Sequence, residues 1–428
     1  MKKLLLLTYY FPPGNFAGSY RMQAWAEHLH LYGYYPIVVT RHWEDNATDF
    51  TAISQQTHIS REDKEAYTVY RLPFKGSIRD RLVKRDGAAG KLIGKFFSLF
   101  QVLGQNYFLH SVPYRSLYDF SRKLLKEQPD IQTVVTSGRP FLLFRFGYLL
   151  KKEFPKIAWL ADYRDPWNSC PLIEQSLKQK WFRLLEKPLE KKWVAKADAI
   201  VTVSEGVASS LGRVLPGREV HVVTNGFEDF FKSPVHTHAN RLTIAYIGSL
   251  YDSQHIEIFL EGFKGFIAHS KQPPEIVLEF LGLGNNARQN SRVKRTMAGF
   301  ERFYMIIPWL LKKDLMLKAA SAHLLLLCGM PERKGTYTAK FFDYLSLQKN
   351  IVLCPSDKDV LEKTIQETCA GRVLHTPEEV CEFLQEVYAH WLDHKSIPYN
   401  GKQEALLTFT HKNQVERLSH ILSSIHHR

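Results

Sequence analysis

Lys3–Arg21, KLLLLTYYFPPGNFAGSYR, decides the architecture. Its first five residues form an apolar run of strand type, which opens into a loop holding Gly14 and Gly18. The pattern then turns helical, because Met22, Trp25, Leu29 and Leu31 recur near one face at a spacing of about 3.6 residues. Gly33 ends that helix, and Pro36–Thr40, PIVVT, reads as a second strand. The result is a strand–loop–helix–strand unit, the repeating block of a parallel sheet with crossover helices. Such sheets bind ligands in the loops that follow their strands. Here the glycines admit close backbone approach, and Arg21 stands at the helix start.

The block recurs along the chain. Strands are predicted at Ile131–Ser137, Ile157–Ala161, Ala199–Val203 and Val220–Thr224, with helices over 141–152 and 175–197 and an N-cap at Ser204. Residues 232–241, KSPVHTHANR, are polar and aperiodic and read as an interdomain linker. The pattern restarts with strands at Leu242–Ile247, Ile276–Leu281, Phe303–Ile307, His323–Cys328 and Ile351–Cys354, and helices over 254–269, 311–322 and 340–348. Two such arrays predict an α/β protein of two Rossmann-like domains facing one another across a cleft. The expected boundaries are 1–232 and 241–404, with the amphipathic segment 405–428 at the end. A length of 428 residues suits two cores.

Composition narrows the class. Apolar residues make up 45% and charged residues 23%, as in soluble globular proteins. The opening apolar run is too short for a signal peptide, and no stretch reaches the roughly 18 residues that span a bilayer, so a cytoplasmic protein is expected. Five scattered cysteines without a CxxC pair argue for reduced thiols and against structural zinc. The net charge of +14 sits mainly in residues 1–240, which carry 34 basic against 23 acidic side chains. Its densest stretch, Arg71 to Lys95, runs into the apolar IGKFFSLFQVLGQNYFL. That order suits either the surface of an anionic membrane or a solvated helix followed by a buried one. No nucleic-acid-binding module accompanies the charge.

Four constellations carry possible chemistry. In Trp159–Trp167, WLADYRDPW, the carboxylates Asp162 and Asp165 flank Arg164 at a strand end, and Pro166 leaves the carboxylates in a loop. A carboxylate there serves as a general base, as a holder of an acceptor hydroxyl, or as half of a structural ion pair. In PERKGTYTAKFFDYL, Arg333 and Lys334 precede Lys340 at a helix start, with Asp343 one turn on. Either the lysine and helix terminus hold a diphosphate while Asp343 accepts from a ribose diol, or Lys340 and Asp343 form an ordinary i,i+3 pair. Gly248-Ser249-Leu250 and Gly282-Leu283-Gly284 follow strands and fit tight turns or ligand contact equally. Pro308 and Trp309 stand ready for a nucleobase, although core packing is the expectation for Trp309. Ser137, Gly138 and Arg139 offer a hydroxyl, backbone donors and a cation for an acceptor, or simply a helix cap.

Together these stretches resemble bacterial GT-B glycosyltransferases of the family 4 type over nearly the whole chain. YYFPPGNFAGSYR is similar to that group's opening loop, ADYRDPW to its D-F-R-D-P-W segment, VVTNGF to its N-G-F/V turn and TAKFFDYLSLQKNIV to its P-x-K-x-x-E-Y-L signature. The resemblance implies transfer of a sugar from a nucleotide diphosphate donor, with retention of configuration and with neither metal nor cofactor. It implies that residues 405–428 cross back to the first domain. It assigns Lys340 to the phosphates, Asp343 to the ribose, Gly14 and Gly18 to the diphosphate loop, and Asp165 or Asp162 to acid/base or acceptor work. Gly248, Ser249, Gly282, Gly284, Pro308, Trp309 and Arg333 would join the donor site, and Arg21, Ser137, Arg139 and Arg164 the acceptor site. The chain departs from the pattern in three places: Asp343 replaces a glutamate, Gly335 stands where many members carry a second glutamate, and Ser249 and Leu250 occupy the place of a basic pair. The implied acceptor is a lipid-linked saccharide in surface polysaccharide assembly, with peripheral contact at the inner face of the membrane and no nucleic-acid partner. A nucleotide-sugar epimerase and a non-catalytic nucleotide-sugar-binding or membrane-scaffolding protein are the competing readings.

Overall fold

The computed structural model describes residues 1–45, 47, 54–74, 76, 104, 106–168, 177–232 and 240–426. Nearly all of the basic stretch and apolar run between residues 75 and 105, residues 233–239 of the polar segment 232–241, and Cys170 lie outside the described residues. The chain divides into two units, Met1–Thr224 with His411–Arg428, and Asn225–Thr410.

Unit 1 is built on β1 (Lys2–Thr8), β2 (Tyr34–Arg41), β3 (Ser60–Asp63), β4 (Thr68–Leu72), β5 (Ile131–Gly138), β6 (Ala158–Tyr163), β7 (Ala199–Thr202) and β8 (Val220–Val222). Their order is β3-β4-β2-β1-β5-β6-β7-β8, parallel except for the β3–β4 pair. Helices α1 (Ala17–His28), α2 (Arg115–Glu127), α3 (Leu142–Glu153), α4 (Leu177–Val194) and α5 (Glu205–Val214) connect the strands. Leaving aside β3, the order from β4 onward is that of doubly wound dinucleotide-binding sheets, in which the chain reverses direction beside its first strand. That switch point lies between β1 and β5.

The opening apolar run is explained by burial on both faces. Leu5 and Leu7 join one core layer with Val134, Phe144 and Trp159, while Leu4 and Leu6 join the other with Met22, Trp25 and Val38. Leu31, expected on the buried face of the first helix, is 51% exposed, because α1 tightens into a 3-10 turn at Leu29–Tyr32. Ser204 caps α5 by accepting from the Val207 amide.

Unit 2 contains β9 (Leu242–Ile247), β10 (Ile276–Leu281), β11 (Tyr304–Ile307), β12 (Leu324–Leu327), β13 (Asn350–Leu353) and β14 (Gly371–Val373). All pair in parallel in the order β11-β10-β9-β12-β13-β14, again the doubly wound pattern, with its switch point between β9 and β12. The helices are α6 (Glu257–His269), α7 (Ala287–Thr296), α8 (Lys312–Ala320), α9 (Ala339–Leu347), α10 (Val360–Thr368), α11 (Pro377–His394) and α12 (Gln403–Leu407). The chain enters unit 2 earlier than the polar segment suggested. Phe227 packs into a unit 2 core layer, Phe231 donates to the Ser346 carbonyl at 2.9 Å, and Leu406 also belongs to that layer. The last helix, α13 (His411–Ser424), returns to unit 1, where Val415, Leu418 and Leu422 pack with Leu4, Trp25 and Val38.

Among the described residues no helix is long and apolar enough to cross a membrane, and no group of His, Cys, Asp or Glu is placed to hold a metal ion.

Unit 1 is close-packed where α3 meets β6. A methyl group on Gly147 would come within 2.3 Å of the Trp159 ring, whose Nε1 donates to Thr136 Oγ1 at 2.9 Å. Gly147→Ala should therefore destabilise the protein by about 1–3 kcal/mol in chemical denaturation, the usual cost of overfilling a tight core.

Candidate active site

Each switch point places polar side chains at the carboxyl ends of the strands. In unit 1 they form an inner and an outer group. β6 extends through Tyr163, so Asp162 lies in the strand and not in the loop expected from Pro166, and it is fully buried. Arg21 of α1 reaches it with Nη2 at 2.9 Å from Oδ1 and donates through Nη1 to the Thr224 carbonyl at 2.9 Å. Ser137 at the end of β5 donates to the other carboxylate oxygen at 2.7 Å. All three residues are buried. Arg21, Ser137 and Asp162 are therefore not acceptor or acid/base groups open to substrate. They form a buried ion pair with an added hydroxyl donor that ties α1, β5 and β6 to residue 224, which offsets the cost of taking both charges out of water.

The outer group remains accessible. Asp165, 43% exposed at its side chain, lies 3.6 Å from Arg164 and 3.9 Å from the exposed Arg139. Arg164 is seated over the Tyr10 ring at 5.1 Å. Gly18 is what makes room for it, since a methyl there would stand 1.1 Å from an Arg164 nitrogen. Gly14 in turn admits the rings of Trp43 and Phe16, at 2.9 and 3.0 Å from its missing methyl. Both glycines thus serve close packing within unit 1, whereas the resemblance assigned them to a diphosphate. A concavity of about 650 Å³ lies nearby at the ends of β1, β2 and β4, lined among others by Pro12, His42, Trp43, Glu44 and Arg71. Burial holds the His42 imidazole below its usual range, so it favours the neutral form there.

In unit 2 the loops after β9, β10 and β11 are stitched together. Gly248 and Gly282 take φ of +73° and +96°, which suits residues without a side chain, and Gly248 donates to Leu281 at 2.7 Å. Gly282 and Gly284 both donate to the Ile307 carbonyl, and the missing methyl of Gly284 leaves only 3.0 Å to the Pro308 backbone. Trp309 follows and is 47% exposed, which corrects the expectation that it packs in a core. Its chain turns outward after β11, and its amide lies 3.5 Å from Asn285 Oδ1.

Lys340 lies in the first turn of α9, one residue after its start. Its ammonium donates to Tyr246 Oη at 2.8 Å and to the Ser249 carbonyl at 2.9 Å, and it rests 3.9 Å above the Tyr246 ring. It forms no ion pair among the described residues. Burial pushes it down from 10.5 to about 7, against weaker opposing effects of Cys328 and Asp343. The local lysine–aspartate pair does not form, because Asp343 is bound instead by Lys312 from α8. Lys334 is also occupied, donating to the carbonyls of Asp357 and Lys358, whereas Arg333 is exposed without an ion pair among the described residues. Thr338 stands extended at the N-cap of α9, but its buried hydroxyl makes no hydrogen bond among the described residues, and none of their side chains caps the helix.

Tyr246, Gln254 and Lys312 were not singled out by sequence pattern, and Tyr344 was noted beside Asp343 without a role; each completes this region. Tyr344 Oη accepts from the Ile247 amide and donates to the Leu326 carbonyl, both at 2.9 Å, across the point where β9 and β12 separate.

The inner and outer carboxylates of unit 1 should separate experimentally. Asp162→Ala leaves Arg21 buried without its partner and should cost about 3–5 kcal/mol of unfolding free energy. Asp165→Ala, at the surface, should stay within about 0.5 kcal/mol of the parent in the same urea titration.

No protein-family model and no curated protein matches the sequence. Solved structures do resemble it. Sucrose-phosphate synthase from Thermosynechococcus elongatus is similar with a TM-score of 0.67 at 11% identity, over 99% of both chains. An α,α-trehalose-phosphate synthase (UDP-forming) from Burkholderia xenovorans, in complex with glucose-6-phosphate, gives 0.61 at 12% identity, over 98% of this chain and 100% of that one. HepE from Anabaena in complex with UDP gives 0.59 at 11% identity, over 99% and 100%. At such identities the likeness is one of fold: the chain shares the two-unit α/β architecture of these structures.

Proposed function

We propose that the chain is a glycosyltransferase, which moves a sugar from a nucleotide diphosphate donor held by unit 2 to a hydroxyl of an acceptor held by unit 1. One observation carries this reading: a lysine that has no carboxylate partner among the described residues stands in the first turn of α9, which none of their side chains caps, beside the switch point of a doubly wound sheet. Helix amides and a cation there suit the oxygens of a diphosphate. As the bond to the sugar breaks, negative charge grows on the leaving diphosphate. Lys340 and the α9 amides are set to neutralise it, with Arg333 exposed a few residues upstream. The turns at Gly248 and Gly282 leave space for the donor, and the exposed Trp309 ring offers a face for its base. Asp343 would take the ribose once Lys312 yields it. The complexes of two structurally similar proteins with UDP and with glucose-6-phosphate support donor and acceptor chemistry of this kind.

On the acceptor side, Asp165 is the accessible carboxylate, flanked by Arg139 and Arg164, and the nearby concavity offers room for a saccharide. A lipid-linked saccharide acceptor fits the basic first half of the sequence. Retention of configuration and independence from metal and cofactor complete the proposal and rest on the family resemblance.

Purified protein incubated with UDP-, GDP-, ADP- and dTDP-sugars and a lipid-linked saccharide extract should release the nucleoside diphosphate and glycosylated lipid. An epimerised nucleotide sugar formed without acceptor would overturn the reading. Lys340→Ala should lower turnover by on the order of 10²-fold, the scale of one electrostatic donor.

The pH dependence has a definite sign. Burial lowers the Lys340 pKa from 10.5 to about 7, so this group's contribution to folding stability rises as pH climbs through that window. Diphosphate binding favours the charged form and so acts the opposite way. Affinity should be level below pH 7 and fall by up to about tenfold per pH unit above it, with proton uptake visible as a buffer-dependent heat in calorimetry.

A further inference from the structure

Lys340 owes its direction to one side chain. Tyr246 lies in β9 with its ring fully buried, and its hydroxyl reaches the carboxyl end of the sheet. That oxygen accepts from Lys340 at 2.8 Å, donates to the Ser249 carbonyl at 2.9 Å and lies 3.3 Å from Gln254 Oε1. Gln254 is fixed in turn by its donation to the Cys328 carbonyl at 2.7 Å and by the Tyr251 amide at 3.1 Å. One hydroxyl therefore joins α9, the turn after β9 and the loop leading to α6.

We propose that Tyr246 is a positioning residue for diphosphate binding: its ring and hydroxyl aim Lys340 and hold the Gly248–Ser249 turn against it, so that cation and turn meet the ligand as one rigid group. This rests on the donor-site reading above. The other groups around the lysine do not substitute for Tyr246. From the end of β12, the Cys328 thiol is buried and pushed up to about 12, so it stays neutral. On α9 itself, Asp343 is bound by Lys312. From α7, Arg292 acts on Tyr246 and Cys328 only through its field, its guanidinium being engaged by Glu257. Burial raises the Tyr246 phenol well above its usual range, so Tyr246 serves as a neutral acceptor and not as a counter-ion. Tyr251 lies nearby and is exposed.

A neutral acceptor favours the ammonium over the amine. Tyr246→Phe keeps the ring and its stacking but deletes the acceptor. In that variant the lysine should lose its proton more readily, and the Ser249 carbonyl should keep the lysine but lose its second donor.

Isothermal titration calorimetry tests this. Wild type, Tyr246→Phe, Lys340→Ala and the double variant are titrated with UDP, GDP and ADP between pH 6 and 9. Tyr246→Phe should bind the wild type's preferred nucleotide about three- to tenfold more weakly, the scale of one hydrogen bond. Its loss of affinity should begin at lower pH than in wild type, which a purely structural role would not produce. In the Lys340→Ala background the same change should add less than twofold. Tyr246→Phe with wild-type affinity and pH onset overturns the inference, as does an undiminished effect in the Lys340→Ala background. If Tyr246→Phe does not fold, Gln254→Ala loosens the same hydroxyl from its other side. A shift of that variant's pH onset supports the inference, and an unchanged onset overturns it. A wild type that binds none of the three nucleotides overturns the donor-site reading and this inference together, whereas binding with no Tyr246 effect removes the inference alone.

Discussion

Two neighbouring strands that part company leave backbone groups without partners, and the protein's chemistry is organised around how it meets that demand. In unit 2, β9 and β12 pair only at Leu324–Ile244 and Leu325–Ala245. Beyond that point the twist and the reversed winding direction separate them. The Tyr344 hydroxyl spans the gap, taking the Ile247 amide and giving to the Leu326 carbonyl. Buried amides and carbonyls left unmet would each cost free energy on the scale of a lost hydrogen bond. Because Tyr344 belongs to α9, satisfying the parted strands also fixes the helix that carries Lys340 and Asp343. The backbone requirement and the placement of the charged groups are thus one constraint.

Unit 1 meets the corresponding region with charge. The Arg21–Asp162 pair, with Ser137 and the Thr224 carbonyl, is built into the sheet's end and leaves no face to solvent. A second layer, Arg139, Arg164 and Asp165, sits outside it in a loop and stays partly hydrated. Carboxylates three residues apart therefore have opposite fates. Asp162 lies in a strand buried along its whole length, whereas Asp165 lies beyond its end in the loop before Pro166.

Much of the fold was legible because strands buried on both faces must be apolar throughout, and runs such as Leu4–Leu7 and Leu324–Leu327 have no other reading in an α/β chain. The glycine turns after β9 and β10 and the lysine at the start of α9 were legible for similar local reasons. What escaped was contact between distant residues. Arg21 and Asp162 are 141 positions apart, and Lys312 displaces the local partner of Asp343 from 31 positions away. Neither pairing leaves a trace in spacing. Tyr246 looked like one more apolar strand residue, because its ring is buried in the sheet's core and its hydroxyl is its one polar side-chain group. Gly14 and Gly18 read as ligand-approach glycines, yet the approaching groups are Trp43 and Arg164 of the same unit. The charged β3 pairs antiparallel at the sheet edge and carries none of the apolar signal that revealed its neighbours.

The return of α13 to unit 1 has a consequence for biosynthesis. Val415, Leu418 and Leu422 complete the core layer on one face of the sheet whose first strand begins at Lys2. A ribosome releases the chain from its amino end, and domains fold as they emerge. Unit 1 therefore waits, with the layer around Leu4, Trp25 and Val38 lacking the α13 side chains, while all of unit 2 is synthesised. Unit 2, continuous from Asn225 to Thr410, is free to mature first. In this chain the first half to be made is the last to be finished.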